Sequence, residues 1–493
     1  NYYQYIEELG ADRDGYVLTN FPYLNNGPKD LIGNSGKGKE YAYRSYFGRV
    51  MYSYADRYLF QANIRHDGSS RFAKKHRWGT FPSFSAGWVL SEENFMKNLN
   101  WDWLSFLKIR ATWGALGNER IGDFPYMSTI AFGNTIFYQN NGIYFDQTAS
   151  QQKYAIENVT WEKTESTDIG LDISFLNNRL RVNGDYYWKN TKDMLLAMAI
   201  PDFLGFSDPD VNAGKMSTKG YELNVSWNDH IGDFSYGIAI NFSDFTSKMG
   251  DLQGTQFLGD KVKMEGSEFN EWYGYVSDGL FLTEEDLKNS PKINDKNTQL
   301  GDIKYKDISG PDGVPDGKIS PEYDRVLLGS SLPHFLYGGN INLGYKNFDL
   351  SLAFQGVGKQ NARLAREMVE PFRNNYGNFP AIIDGNYWSP YNTDEQNAVA
   401  KYPRLTHVNK SSNYAMSDYW LFNGGYFRLK NVTLGYTFPK EWMKAIGIKG
   451  ARIYASASDL FCLNNYPKGW DPEMGVSEYP ITTSILLGVS VNF

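Results

Sequence analysis

The sequence predicts an all-β chain that crosses a membrane as an antiparallel β-barrel. Three observations carry that expectation. The chain ends in an amphipathic strand that stops on an aromatic residue. Apolar residues recur at every second position along about thirteen stretches. The connections between those stretches alternate between short and long.

The closing strand is the plainest case. Ile485, Leu487, Val489, Val491 and Phe493 alternate with Leu486, Gly488, Ser490 and Asn492. A period of two gives one apolar face and one wet face. Taken alone, the last strand of a β-sandwich would look the same.

Composition narrows the choice. The 493 residues suffice for several domains or one large barrel. No apolar run approaches the ~18 residues of a membrane helix, and mean hydropathy is −0.51. The chain holds 36 Tyr, 31 Phe, 13 Trp and 48 Gly. Tyr and Trp suit the two membrane interfaces, and Gly suits tight turns in a crowded wall. The net charge of −7 argues against a nucleic-acid partner. Cys462 is the sole cysteine, so no disulfide and no Cys/His zinc cluster forms within the chain. No signal peptide precedes a sequence that otherwise reads as exported. The chain is therefore expected to be the carboxy-terminal part of a longer precursor.

Residues 1–41 are polar and rich in Gly and Asn, and read as a loop. Alternating stretches follow at 50–54, 58–64, 82–90 and 105–115. The hairpin at 169–188 is cleaner: Ile169, Leu171, Ile173 and Phe175 lead into Asn177-Asn178-Arg179, then Leu180 and Val182. A second hairpin sets Tyr221, Leu223, Val225 and Trp227 before Tyr236, Ile238, Ile240 and Phe242. Further strands are expected near 335–345, 348–357, 425–438, 450–461 and 482–493.

Short connections fall at 55–57, 177–179, 229–233 and 346–347, with moderate ones at 91–104 and 439–449. Long ones fall at 67–81, 116–163, 192–215, 247–334, 358–424 and 462–481. Tight periplasmic turns and long extracellular loops are the rule for transmembrane barrels. A structureless loop as long as 247–334 would count against a compact soluble domain. With 55–57 in the periplasm, the last strand also ends in the periplasm. An odd count of thirteen implies further strands upstream, because single-chain bacterial barrels carry even numbers.

A series of short motifs runs in order over nearly the whole chain. It begins with Phe47-Gly48-Arg49, Asp56-Arg57-Tyr58 and Arg65-His66-Asp67-Gly68-Ser69-Ser70-Arg71-Phe72. Trp78-Gly79-Thr80-Phe81-Pro82-Ser83, Leu107-Lys108-Ile109-Arg110 and Gly117-Asn118 follow. Next come Asn177-Asn178-Arg179-Leu180, Asp185-Tyr186-Tyr187, Asn212-Ala213-Gly214 and Lys219-Gly220-Tyr221-Glu222-Leu223. Phe427-Arg428-Leu429-Lys430-Asn431-Val432-Thr433-Leu434-Gly435-Tyr436, Asp459-Leu460-Phe461 and Asp471-Pro472-Glu473 close the series.

Together these motifs resemble the carboxy-terminal half of a SusC/RagA-type TonB-dependent transporter, and the resemblance implies a plugged barrel of roughly twenty-two strands. Residues 1–493 would supply about thirteen of them, with long extracellular loops at 247–334 and 358–424. It implies an amino-terminal plug and a TonB box, neither of which this sequence contains. It also implies an outer-membrane location, a SusD-like lipoprotein lid and TonB-driven import of oligosaccharides or oligopeptides. The closing strand would then pair with a strand outside these residues. A passive porin and a surface adhesin or glycan-binding protein are the alternatives from other classes. The sequence has no nucleophile elbow, no Walker loop and no metal spacing among its five histidines, so no enzyme is expected.

Two candidate sites lie in 247–334. Relatives of this type often carry a calcium-like loop here, and Asp307, Ser309, Asp316, Gly317, Ile319 and Asp324 fit its order. Alternating hard oxygens and a Gly at the sharp turn suit Ca2+. Residues 311–315 interrupt the spacing, and Asp312 would replace a lost ligand. The alternative is a surface turn held by Asx and Gly–Pro chemistry. Trp272, Tyr273 and Tyr275 open the same loop and are candidates to stack on a ligand; the alternative is packing at the wall or against the lid. Trp101 and Trp103 read as interface anchors. Lys74, Lys75, His76 and Arg77 suit anionic lipopolysaccharide or a solvated charge run.

Overall fold

The computed structural model describes residues 2–13, 32–139, 142–151, 153–198, 200–254, 256, 258–373, 377–475 and 478–493. Its main sheet has fourteen strands, and their hydrogen-bonded order follows the chain. They are β1 (Tyr2–Arg13), β2 (Ile32–Tyr54), β3 (Tyr58–Ser69), β4 (Trp78–Val89) and β5 (Leu104–Asn118). Next come β6 (Glu162–Phe175), β7 (Leu180–Lys192), β8 (Met216–Ile231) and β9 (Phe234–Met249). The last five are β10 (His334–Tyr345), β11 (Phe348–Lys359), β12 (Tyr426–Thr437), β13 (Gly450–Asn464) and β14 (Ser484–Asn492).

All thirteen expected strands are present, most of them longer than their apolar pattern. The fourteenth, β1, corrects the reading of 1–41 as a loop, as does the start of β2 at Ile32. The odd count, and the argument drawn from it, therefore does not stand. The register sets Tyr2 opposite Tyr43 and Glu8 opposite Lys37. This ladder pairs two polar arms by their backbones. Such arms lack the period-two apolar face on which sequence reading depends. Residue 1 and residues 14–31 of that expected loop lie outside the described residues.

Contacts divide the chain into two units. The first comprises residues 1–87, 111–167 and 189–216; the second comprises 88–110, 168–188 and 217–493. In the first, Phe72, Phe81, Ile121, Val159 and Trp161 form a buried cluster at the long-loop ends of the strands. The Trp161 ring lies 5.2 Å from Phe72 and 5.4 Å from Phe81. Trp161 Nε1 donates to the Arg77 carbonyl at 3.1 Å. A hairpin, Ile130–Gln139 with Gly142–Gln151, rises from the long loop that follows β5.

The second unit shows the wall's two faces. Pairing lines up five rows on one face. They are Phe234-Tyr345-Phe348-Tyr436-Ile453-Val489, Tyr236-Leu343-Leu350-Leu434-Ala455-Leu487 and Ile238-Ile341-Leu352-Val432-Ala457-Ile485, then Ile240-Gly339-Phe354-Leu429-Phe461 and Phe242-Tyr337-Gly356-Phe427-Leu463. The middle row is wholly aliphatic, and aromatic rings gather in the outer rows. Eight residues separate Tyr345 from Tyr337 along β10. At ~3.3 Å per residue and the usual tilt, the belt spans on the order of 20 Å. That approaches the ~25 Å apolar band, edged by aromatic girdles, of outer-membrane walls.

The tight turns share one end of this unit. Leu176, Asn177 and Asn178 have φ of 50°, 56° and 64°, and Lys346 has 53°. Asn tolerates this left-handed region because its side chain bonds locally. Trp101 and Trp103 stack at 5.3 Å, and Trp103 stacks on Phe175 at 5.7 Å. No helix among the described residues is long and apolar enough to cross a membrane.

Candidate functional site

The opposite face of the second unit is polar. Asn342 lies opposite Ser351, Ser351 opposite Thr433, and Thr433 opposite Ser456. Ser351 Oγ donates to Asn342 Oδ1 at 2.7 Å, and the Thr433 and Ser456 hydroxyls meet at 2.9 Å. On β5, Arg110 reaches Asp168 at 3.4 Å, Asp172 at 3.4 Å and Asp185 at 2.6 Å. Asn183 Nδ2 donates to Asp172 at 2.8 Å. Glu222, Asn224, Asn241, Gln355 and Lys430 line one open groove on this face. Charges here are paired but wet, a surface suited to polar cargo rather than to a packed core.

Arg428 is the most constrained charge on that face. Its side chain is 3% exposed and meets Asp459 at 3.5 Å, Asp471 at 2.5 Å and Glu473 at 3.0 Å. Gln355 Nε2 donates to the same Glu473 oxygen at 2.7 Å. A register shift between Leu429 and Asn431 leaves Lys430 outside the ladder. Bulges re-aim side chains in this way. Lys430 Nζ donates to Asp459 at 2.8 Å, and Asp459 itself has φ of 51°. The chain after β13 is thereby strapped to the wall by Asp471 and Glu473. Burial acts to raise the Asp471 carboxyl, but the Arg428 guanidinium and the Glu473 amide outweigh it and hold it below its ordinary value.

The loops that follow β9 and β11 fold together. Tyr275, Leu280, Ile303, Tyr305 and Ile319 from one pack with Val369, Trp388, Tyr414 and Trp420 from the other. Polar bonds lock the same seam. Tyr275 N donates to the Met416 carbonyl at 2.9 Å, Ser277 N to Asp418 at 2.7 Å and Tyr305 Oη to the Ser412 carbonyl at 2.7 Å. Asp302 is fully buried, and both its oxygens are occupied. Arg404 Nε donates to it at 2.7 Å, Asn409 at 2.8 Å, Asn413 at 2.9 Å and the Gln299 amide at 2.9 Å. Burial pushes the Tyr305 and Tyr414 hydroxyls far above their ordinary value, so both stay neutral donors.

The candidate aromatic trio splits. Tyr275 is buried in this core, with its ring 5.3 Å from Tyr305. Its ring is therefore closed to a ligand, because its neighbours already cover it. Trp272 Nε1 donates to the Asn361 carbonyl at 2.6 Å, and Lys261 lies 4.6 Å over its ring. Arg325 lies 4.6 Å over Tyr273. Both half-buried rings thus carry cations on a face.

The acidic stretch forms a turn. Asp324 is fully buried; Ile308 N donates to its Oδ1 at 2.8 Å, and Ser320 N to its Oδ2 at 2.6 Å. Ser309 N also donates to Asp324, at 3.3 Å. Gly317 N donates to Asp307 at 2.6 Å, and Lys318 N to Asp316 at 3.0 Å. The other Asp307 oxygen is buried without a protein partner, and Asp312 is exposed. Among the described residues no three acidic, His or Cys side chains converge as a metal would need. As arranged, both oxygens of Asp324 and one each of Asp307 and Asp316 accept from backbone N–H donors. The residues do not fit a calcium cage in this geometry; Asx bonding accounts for the turn.

Sequence reasoning did not find the Arg428 cluster or the loop core. The cluster joins three stretches already quoted for the family resemblance, around Arg428, Asp459 and Asp471, which read as separate motifs until the fold brings them together.

Comparison with known proteins gives a consistent result. A family model described as TonB dependent receptor-like, beta-barrel, matches residues 2–460. TonB-dependent receptor SusC of Bacteroides thetaiotaomicron is 32% identical over 468 residues, covering 91% of this chain and 43% of that protein. TonB-dependent receptor P3 of Formosa agariphila is 31% identical over 498 residues, covering 96% of this chain and 46% of that protein. The chain thus spans less than half the length of these curated relatives. Among solved structures, that of the RagAB peptide transporter matches with a TM-score of 0.79 at 22% identity. That match covers 100% of this chain and 52% of the solved one.

Proposed function

The chain belongs to the TonB-dependent receptor-like β-barrel family, with its likeness to the SusC and RagA type, and from that premise we propose that it serves TonB-dependent import of oligosaccharides across the outer membrane. The observation that carries this is the two-faced wall: five apolar rows on one side, paired Asn, Ser, Thr, Asp and Arg on the other. Lipid solvates the first face, and a wet lumen the second. The turn end, with the carboxy-terminus, faces the periplasm, and the long loops face outward. There a SusD-like lipoprotein closes over the loop core. TonB supplies the work through a plug segment, and this chain supplies wall, lumen and mouth. Lys74 and Lys75 on a long-loop connection meet lipopolysaccharide.

The test is uptake of defined oligosaccharides by cells producing the protein, with and without TonB and with and without the lipoprotein. Uptake should need both. Uptake that persists without TonB would favour a passive porin and overturn the proposal. Uptake of oligopeptides with sugars refused would overturn the substrate class and leave the mechanism standing.

A further inference from the structure

In the first unit, the loops at 119–161 and 193–215 flank a cavity. Its volume is about 340 Å³, within the roughly 300–1,000 Å³ of small-molecule sites. Phe124, Pro125, Ile156 and Pro209 give it apolar walls, and Lys153, Tyr154, Asp208 and Asp210 give it a polar rim.

The frame is fixed by its own bonds. Ile156 N donates to the Pro125 carbonyl at 3.0 Å, and Lys153 pairs with Ser207 in an isolated bridge. Ile200 N donates to Asp208 at 3.1 Å, and the backbone of Asp210 is paired with Ala197. Asp123 is held by Arg71 at 3.2 Å. Phe124 has φ of 52°, a conformation a bulky residue adopts only when its surroundings impose it. Tyr154 is 53% exposed, and Phe206 holds its ring edge-on at 5.7 Å. An aromatic residue is thus strained into the wall while a second stands open at the rim.

A pyranose ring presents an apolar C–H face and a belt of hydroxyls. The rings and prolines match the first, and the two carboxylates accept from the second in charge-assisted bonds. Asp208 and Asp210 outnumber Lys153 on the rim, which leaves it net negative and disfavours a uronate or a sulphate ester. An extended peptide is taken by an open groove or strand edge, and this pocket is compact. We propose that the cavity is a subsite for a neutral sugar unit, with Phe124 and Tyr154 stacking on the ring and Asp208 and Asp210 accepting from its hydroxyls. The proposal rests on the oligosaccharide reading above and locates one place where such a ligand is held.

The experiment is calorimetric titration of the full-length protein in detergent. The probes are neutral hexose oligosaccharides, matched oligosaccharides containing uronic acids, and oligopeptides. A neutral sugar should bind best. Tyr154→Ala and Asp210→Asn should each weaken it by roughly three- to tenfold, the scale of one aromatic or polar contact. Thermal melting should be unchanged, since both side chains lie at a rim. Sugar binding that is equal in the unaltered protein and both variants would overturn the subsite and leave the oligosaccharide reading intact. Binding of peptides alone, or of no sugar at millimolar concentration, would overturn both.

Discussion

Replacing Arg428 by Met should free the segment after β13 from the wall. The guanidinium is 3% exposed and answers three carboxylates, whose side chains are 17%, 18% and 20% exposed. Breaking a buried pair by removing one partner costs ~3–5 kcal/mol. Lys430 remains at 2.8 Å from Asp459 and 3.7 Å from Glu473, so the lower end applies. About 3 kcal/mol corresponds to an increase of about a hundredfold in local opening. Hydrogen exchange should therefore quicken by that factor in peptides covering 465–475, while β10 and β11 keep their protection. Glu473→Gln keeps the hydrogen-bonding shape and loses one charge, so it should show the same pattern more weakly. Acid should act likewise. The Asp471 pKa is depressed in the fold, so its contribution is present above the ordinary carboxylate range and is lost as pH falls through the folded value. Exchange in 465–475 that is unchanged within threefold in both variants would refute the strap.

Three further outcomes are expected. Lys304 lies 3.1 Å from Asp278 and 3.3 Å from Asp286. Burial opposes both charges, but the pairing wins, raising the Lys304 pKa and lowering that of Asp286. Proteolytic resistance of 278–305 should hold from the ordinary Asp value near 4 to the ordinary Lys value near 10.4. It should fall below that window as Asp286 protonates, and above it as Lys304 deprotonates. Gly301 has φ of +82°, and a Cβ there would overlap the Trp388 ring. Gly301→Ala should cost the loop core roughly 1–3 kcal/mol, read as faster cleavage of 301–420 in limited proteolysis. Millimolar Ca2+ should leave the melting of the purified protein unchanged, because amides already occupy Asp324. A calcium-dependent rise that Asp324→Ala abolishes would restore the metal site.

What the sequence disclosed depended on whether its signal was local. Strand alternation is local, so the thirteen wall strands with an apolar face were legible, down to the turn at Asn177 and Asn178, whereas the hairpin Ile130–Gln139 with Gly142–Gln151 was not. The strand β1 was not, since its pairing with 32–43 is a matter of two polar arms meeting. The loop 247–334 was expected to be structureless, as a long extracellular loop of a barrel can be. Trp388, Tyr414 and Trp420 become a core only against Tyr275, Ile303 and Tyr305, from a loop that a whole hairpin separates from theirs. Tyr275 was not legible as a core residue for a related reason. Sequence spacing cannot tell a ring facing solvent from Tyr275, whose covering neighbours lie some thirty and 140 residues further along the chain. Acidic spacing likewise singled out Asp307 and Asp324 without saying that amides would meet them.

On the proposed import reading, the loop core also limits how the mouth can open. Nine buried apolar or aromatic side chains hold the two loops together. Burying each contributes roughly 1.5–3 kcal/mol, so prising the loops apart costs as much as unfolding a typical domain at ~5–15 kcal/mol. The buried Asp302–Arg404 pair adds to that cost, because separation strands a charge. Micromolar ligand binding, worth ~8 kcal/mol, does not supply such energy at each turnover. The two loops therefore move as one body or not at all, and on that reading any opening belongs to the proposed lid or to the hinges where this body meets β9 and β11. Spin labels at exposed Leu282 and Val399 would report it. One label sits on each loop, so their separation should stay constant through substrate addition and removal in the assembled transporter. A change of several ångströms between them would show that the core parts, and the rigid-body reasoning would fail.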